Sequence, residues 1–175
     1  ILLVDVGGGS TEVVCARGGQ ILESVSVPIG ALKILESLPD DTEDLFGYYT
    51  GRGIDYLMNP LSELSLSIDM PIVSTGGTIT SAAAIAVGLE NYDPARIHGM
   101  ELSTGQMTEI AYKFESTDSD FRKNLIPFDP ERAELILPGL GIYLALMSII
   151  EQKILVVSTG GLRFGAALYP EKIYS

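Results

Sequence analysis

The run Asp5-Val6-Gly7-Gly8-Gly9-Ser10-Thr11-Glu12 puts a carboxylate on each side of three consecutive glycines and two hydroxyls. Glycines without Cβ obstruction let successive backbone N–H groups converge on an anion. Ser10 and Thr11 add hydroxyl donors beside that nest. If the chain folds back over Gly7 to Ser10, Asp5 comes to lie opposite Glu12, and like charges facing each other across paired strands are destabilising. A hard divalent cation resolves the conflict, and Mg²⁺ suits sites made of one or two carboxylates plus phosphate oxygens. The chemistry this predicts is the binding and transfer of a phosphoryl group, with Asp5 and Glu12 as metal or water ligands and Gly7, Gly8, Gly9, Ser10 and Thr11 as the phosphate cradle. A glycine-rich hairpin with two solvated acids gives the same string, and spacing alone leaves both readings open.

A second pattern points to the same kind of place. Val73-Ser74-Thr75-Gly76-Gly77 recurs as Val157-Ser158-Thr159-Gly160-Gly161. Each copy ends an apolar run and is followed by Ala-containing sequence, so each reads as a strand-to-helix turn on one sheet edge. In open α/β sheets ligands gather at such edges. Gly76, Gly77, Thr78, Gly160, Gly161 and Arg163 are therefore expected to form a second edge of the cleft. Arg163 fits either a phosphate or a local carboxylate. His98, alone before a glycine, reads as a structural hydrogen-bonder rather than a general base. Cys15, alternating with valines, reads as an inert buried thiol. Glu131 and Glu134 flank Arg132 at what reads as a solvated helix start.

The elements that must position these residues follow from apolar periodicity. Residues 1–6, Thr11 to Ala16 and Gln20 to Pro28 read as a three-stranded antiparallel meander. Helices are expected over Ala31 to Ser37 and Asp41 to Leu57, with Asn59-Pro60 as a break and a short helix over Leu61 to Leu66. A strand at 71–74 precedes a helix over Ile79 to Val87. Ser103 to Phe114 and Pro130 to Gln152 are further helices, the latter bent near Pro138. Ile154 to Ser158 is the last strand, and Leu162 to Leu168 the last helix. The predicted fold class is α/β, a mixed five-stranded sheet with helices on both faces.

Composition bounds the partners. The chain has 175 residues with 11 Lys+Arg against 23 Asp+Glu, a net charge of −12, and 46% hydrophobic residues. This suits one domain and excludes an acidic disordered tail. Such acidity argues against nucleic acid or an anionic membrane as partner, and no stretch reads as a spanning helix or signal peptide, so a cytoplasmic location is expected. One Cys and one His exclude an internal disulfide and a Cys/His zinc site. The chain starts at Ile1 inside an apparent buried strand, which reads as a fragment of a longer protein.

Asp5 to Val13 resembles the second phosphate-loop motif of the exopolyphosphatase/guanosine pentaphosphate phosphatase family, within the actin-like/Hsp70/sugar kinase superfamily. Other stretches agree in order: Pro28 to Lys33 after the third strand, Gly76-Gly77-Thr78-Ile79, Ile97-His98-Gly99 with Leu102-Ser103, Glu131 to Glu134 with Leu137-Pro138-Gly139, and Val157 to Gly165. The resemblance implies an actin-like (ribonuclease H-like) fold, with residues 1–175 as a single domain forming the C-terminal half of a two-domain module. It implies an Mg²⁺-dependent hydrolase that removes terminal phosphate from polyphosphate, or the 5′-phosphate from guanosine pentaphosphate to leave the tetraphosphate. The first phosphate loop and a water-activating glutamate would then lie in an absent N-terminal domain, and the isolated chain would be inactive. A face built to meet that domain would also allow self-association as a homodimer.

Three positions depart from the family pattern. Lys33 stands where Arg is common, which keeps the charge and loses the bidentate fork. Thr159 stands near a usual Asp and Phe164 near a usual Glu, so the second cleft edge carries fewer acids. Two other functions suit the same anion nest: an ATP-binding actin-like kinase or reactivase ATPase holding nucleotide at the Thr75 to Thr78 turn, and a non-catalytic phosphate or nucleotide sensor.

Overall fold

The computed structural model describes residues 1–66, 69–161 and 168. Its strands are β1 (Leu2–Val6), β2 (Thr11–Arg17), β3 (Gln20–Val27), β4 (Ile72–Thr75), β5 (Glu101–Ser103) and β6 (Ile154–Val157). They form one sheet in the order β3-β2-β1-β4-β6-β5. β1 to β3 are the expected antiparallel meander, while β1, β4 and β6 run parallel. Alternation sets the faces: Leu2, Val4 and Val6 are buried and pair with Cys15, Val13 and Thr11. Cys15 is the buried thiol its strand pattern predicts.

The sheet has six strands, not the expected five. The addition is β5, antiparallel to β6 at the edge, with buried Leu102 opposite Leu155. Three residues are too few to show a period of two, so its strand character comes from the partner rather than from local pattern.

The helices are α1 (Ala31–Glu36), α2 (Leu45–Ser62), α3 (Gly77–Ala86), α4 (Pro94–Ile97), α5 (Thr104–Glu115), α6 (Ser119–Arg122) and α7 (Ala133–Ile149). A capping box starts α5, with the Ser103 hydroxyl accepting from the Gln106 N–H and the Gln106 side chain accepting from the Ser103 N–H. α2 continues past the expected break at Pro60. The proline falls in the last turn, where only one intrahelical bond is lost, and buried Leu57 and Leu61 carry the core stripe across it. No separate helix forms over Leu61 to Leu66. Of the helix expected over Leu162 to Leu168, all but Leu168 lies outside the described residues.

α7 is the hub: α1, α2, α3 and α5 all pack on it, and it touches β1. A helix covered on all sides reads as apolar all round. The stretch Pro130–Ile149 is long and apolar enough to cross a membrane by composition, but 67% of its 18-residue apolar span is buried inside this domain. Its core role is visible at Tyr143, whose fully buried hydroxyl reaches the sheet between β1 and β4.

Candidate functional site

The carboxyl ends of β1, β4 and β6 meet at one edge, and every described part of the site lies there. In the β1–β2 hairpin Asp5 is the register partner of Glu12, as the spacing predicts. Both are half-buried. Burial, and next the Glu12 charge, push the Asp5 carboxyl above the usual Asp value. Glu12 accepts a 2.9 Å hydrogen bond from the Ser26 hydroxyl on β3.

The glycine loop is held from behind. The Gly7 carbonyl accepts from the Ala31 N–H at 2.9 Å, and the Gly8 carbonyl from the Leu32 and Lys33 N–H groups at 3.0 Å. The first donors of α1 are thus spent on the loop. A Cβ on Gly30 would lie 2.5 Å from the Gly8 oxygen, so only glycine lets α1 come this close. With its carbonyls fixed, the loop keeps the N–H groups of Gly8, Gly9 and Ser10 without an acceptor among the described residues. Gly8 and Gly9 are exposed. Thr11 is a correction to the sequence reading: it is fully buried, and its hydroxyl donates to the Ile29 carbonyl at 2.7 Å. It braces the hairpin instead of offering a donor to a ligand.

Beside this loop, β4 turns into α3. Gly76 has φ 101° and ψ 167°, a conformation essentially reserved for glycine. A Cβ there would lie 2.5 Å from Asp5 Oδ1. The missing side chain brings the Asp5 carboxylate against the turn. α3 has no side-chain cap, which leaves its first N–H groups for a ligand. Gly77 leaves space that the Arg132 guanidinium occupies.

Arg132 is the residue the sequence reading missed. It precedes α7, and its Nε donates to Asp129 Oδ2 at 2.6 Å. With Asp5, Gly76, Gly77, Thr159 and Gly161 it lines a cleft of about 540 Å³. Tyr92 and Phe128 form the outer wall, ring centroids 6.1 Å apart. A smaller recess of about 110 Å³ joins Asp5, Gly7, Gly8 and Thr78 to the same arginine. Reading 131–134 as a solvated helix start holds for exposed Glu131 and for Glu134, which pairs with Arg122 at 3.2 Å, and fails for the arginine between. Local spacing offers only its Asp129 partner and does not mark it for the cleft, because the cleft residues it meets, Gly77 and Asp5 among them, lie far away along the chain.

The two repeated turns do share the sheet edge: Thr75 and Gly76 line the cleft with Thr159 and Gly161. Gly160 is exposed and does not line it. Arg163 lies outside the described residues. Among the described residues no cluster of three Asp, Glu, His or Cys side chains forms a ready-made metal cage. The Asp5–Glu12 pair does fit Mg²⁺, which takes one or two carboxylates and fills its remaining positions with water and phosphate oxygens. Burial first and the Glu12 charge second disfavour the Asp5 carboxylate, and a bound cation would offset both.

Comparison with known proteins shows the family and the fold. Residues 1–171 match the profile of the Ppx/GppA phosphatase family. The chain is 30% identical over 141 residues to exopolyphosphatase 2 of Mycobacterium tuberculosis, covering 79% of this chain and 44% of that protein. It superposes on the crystal structure of the Aquifex aeolicus Ppx/GppA family member with TM-score 0.84 and 34% identity, covering 99% of this chain and 56% of that one. An exopolyphosphatase-like crystal structure, 22% identical with TM-score 0.87, shares the fold. The chain spans about half the length of these relatives.

Proposed function

The chain belongs to the Ppx/GppA phosphatase family, and on that premise we propose that it forms one wall of a two-domain cleft releasing phosphate from polyphosphate or guanosine pentaphosphate. The observation that carries this reading is that Asp5, the uncapped start of α3 and Arg132 line both the cleft and the adjoining recess, and that the recess reaches Gly8, at the head of the loop whose N–H groups have no acceptor among the described residues. Phosphoryl transfer asks mainly for positioning and for stabilisation of charge on the phosphoryl oxygens. The loop N–H groups hold the terminal phosphoryl oxygens, and Arg132 meets the charge of the neighbouring phosphate. Asp5 and Glu12 hold Mg²⁺ or orient the attacking water. When bound, the cation supplies charge neutralisation at the transferred group. The residue that takes the proton from water belongs to the partner domain, so the 175-residue chain is inactive by itself. The setting is the cytoplasm, where such substrates form.

The test is phosphate release from both substrates by the full-length protein, with Mg²⁺ or excess chelator. Asp5→Asn is expected to lower turnover by about a hundredfold or more. Near-parental turnover in that variant sinks the assignment of Asp5. Full activity of the isolated chain sinks the missing-domain reading.

A nucleotide ligand has its own supporting observation. Tyr92 and Phe128 give the cleft an aromatic wall that bare polyphosphate has no use for. This favours guanosine pentaphosphate over polyphosphate and keeps an ATP-binding actin-like kinase as the second reading. Heat protection of the full-length protein by ATP but not by polyphosphate would decide for the kinase.

A further inference from the structure

Among the described residues the turn after β6 has few hydrogen bonds to the rest of the domain. Ser158 donates its N–H to the Ser74 carbonyl at 2.7 Å, and two bonds are internal to the turn: Gly160 N–H to Ser158 Oγ at 3.2 Å and Gly161 N–H to the Thr159 carbonyl at 3.2 Å. Among the described residues the hydrogen bonds of Thr159 to side chains outside the turn go to one group, the His98 imidazole. The Thr159 N–H donates to His98 Nδ1 at 3.2 Å, and Thr159 Oγ1 lies 3.2 Å from the same nitrogen.

His98 is itself well fixed. At the end of α4 its backbone N–H donates to the carbonyl of Pro94, the first residue of that helix. Gly99, at φ 78°, then lets the chain reverse so that its N–H reaches the Val157 carbonyl at 2.8 Å, and the Val157 N–H returns to the Met100 carbonyl at 2.8 Å. The imidazole therefore stands on a segment bolted to β6, the strand whose turn it restrains. A backbone N–H can only donate, so Nδ1 must be the unprotonated nitrogen and the ring proton sits on Nε2.

We infer that His98 is a positioning residue for the hydrolase cleft, its unprotonated Nδ1 holding Thr159 at the rim where substrate phosphates pass. The inference rests on the reading of the cleft as a phosphohydrolase site. His98 does not line the cleft and takes no proton from the reaction. Its effect is on substrate binding, through the place of Thr159 and Gly161.

Two measurements test this, and the first does not depend on activity. The chain has one histidine, so an imidazole nitrogen spectrum of the ¹⁵N-labelled chain contains a single pair of signals. The expected result is a proton on Nε2 and none on Nδ1, with the Thr159 amide resonance moving in His98→Ala. A proton on Nδ1, or rapid averaging of the two tautomers, overturns the inference. The second measurement uses phosphate release by the full-length protein. In Asn the amide oxygen sits as many bonds from the backbone as Nδ1 does, whereas in Gln it sits at the place of Nε2. His98→Asn is expected to stay within about twofold of the parent, while His98→Gln and His98→Ala raise KM by about twofold to tenfold with kcat nearly unchanged. Equal behaviour of the Asn and Gln variants, or a loss confined to kcat, overturns it. A parent that releases no phosphate from either substrate ends the hydrolase reading instead, and the nitrogen spectrum still decides whether the His98 contact exists.

Discussion

The same five residues make two turns on one sheet edge, and the two turns are built differently. At Val73 to Gly77 the Ser74 hydroxyl is buried, 2.9 Å from the Val4 carbonyl and 2.6 Å from the Tyr143 hydroxyl, which donates to the Thr75 carbonyl at 3.0 Å. Gly76 takes a conformation reserved for glycine, and its carbonyl accepts from the Thr80 hydroxyl at 2.9 Å. At Val157 to Gly161 the serine is half-buried, Thr159 leans on His98, and Gly160 has no positive φ. The cause is location. β4 lies between β1 and β6 with α7 above it, whereas β6 has only the three-residue edge strand β5 on its far side. Identical local sequence thus yields a turn tied by several buried bonds at the sheet centre and, among the described residues, one with fewer such bonds near its edge. The more heavily bonded turn is the one beside Asp5.

The largest effect that tests this contrast is expected at Gly76. An alanine must adopt the Gly-only conformation and place its Cβ on the Asp5 carboxylate. Gly76→Ala should cost about 1–3 kcal/mol in urea denaturation. Displacement of Asp5 by about 1 Å should lower phosphate release by roughly a hundredfold. Parental stability and turnover in this variant would show that the central turn is no more demanding than the outer one.

Next comes Tyr143→Phe. Its hydroxyl is fully buried, its titration is pushed well above the usual tyrosine range by desolvation, and it serves both Ser74 and Thr75. Removing it leaves a buried carbonyl without its donor, for an expected loss of about 1–3 kcal/mol. The outer turn has no equivalent hydroxyl beneath it among the described residues, and Ser158→Ala should change stability by less than about 0.5 kcal/mol. Equal losses in the two variants would erase the distinction.

A smaller effect separates the turns by charge. The folded-state value of Asp5 is raised, by burial first and Glu12 second. For a raised group the favourable contribution is complete below the ordinary Asp value and is lost as pH rises through the folded value. The ionised carboxylate therefore opposes folding at neutral pH, and Asp5→Asn should melt slightly higher than the parent there. The gain should shrink toward acid pH and toward saturating Mg²⁺, measured by thermal denaturation across pH. A lower melting temperature for the variant at neutral pH would mean that Asp5 is stabilised in the fold, against the assigned strain.

Much of this was readable from the chain. The glycine string between two acids fixes the hairpin, because a period-two pattern on each side allows a single register, and that register sets Asp5 against Glu12. The repeated pentapeptide announced two turns on one edge. Differences between the copies were not readable, since the neighbours that distinguish them, Tyr143 and His98, come from other elements. Arg132 reaches Gly77 only after α7 has packed, and β5 is a strand only because β6 lies beside it. Thr11 looked like a phosphate donor because hydroxyls do serve that role. Which way a strand residue faces, and that a carbonyl waits at Ile29, are tertiary facts.

The smallest expected effect is at Gly160, and it cuts the other way. A Cβ there would stand 3.5 Å from Ser158 Oγ, an ordinary contact, and the backbone needs no glycine. Alanine at such a position restricts the unfolded chain more than the folded one, which favours folding by about 0.4–1 kcal/mol. Gly160→Ala should therefore leave phosphate release unchanged, because the residue does not line the cleft, and should match or slightly exceed the parent in denaturation. A loss above about 1 kcal/mol would mean that the outer turn must pass through a conformation only glycine allows. The two copies would then be alike in what they require of their glycines, and location in the sheet would no longer account for the difference between them.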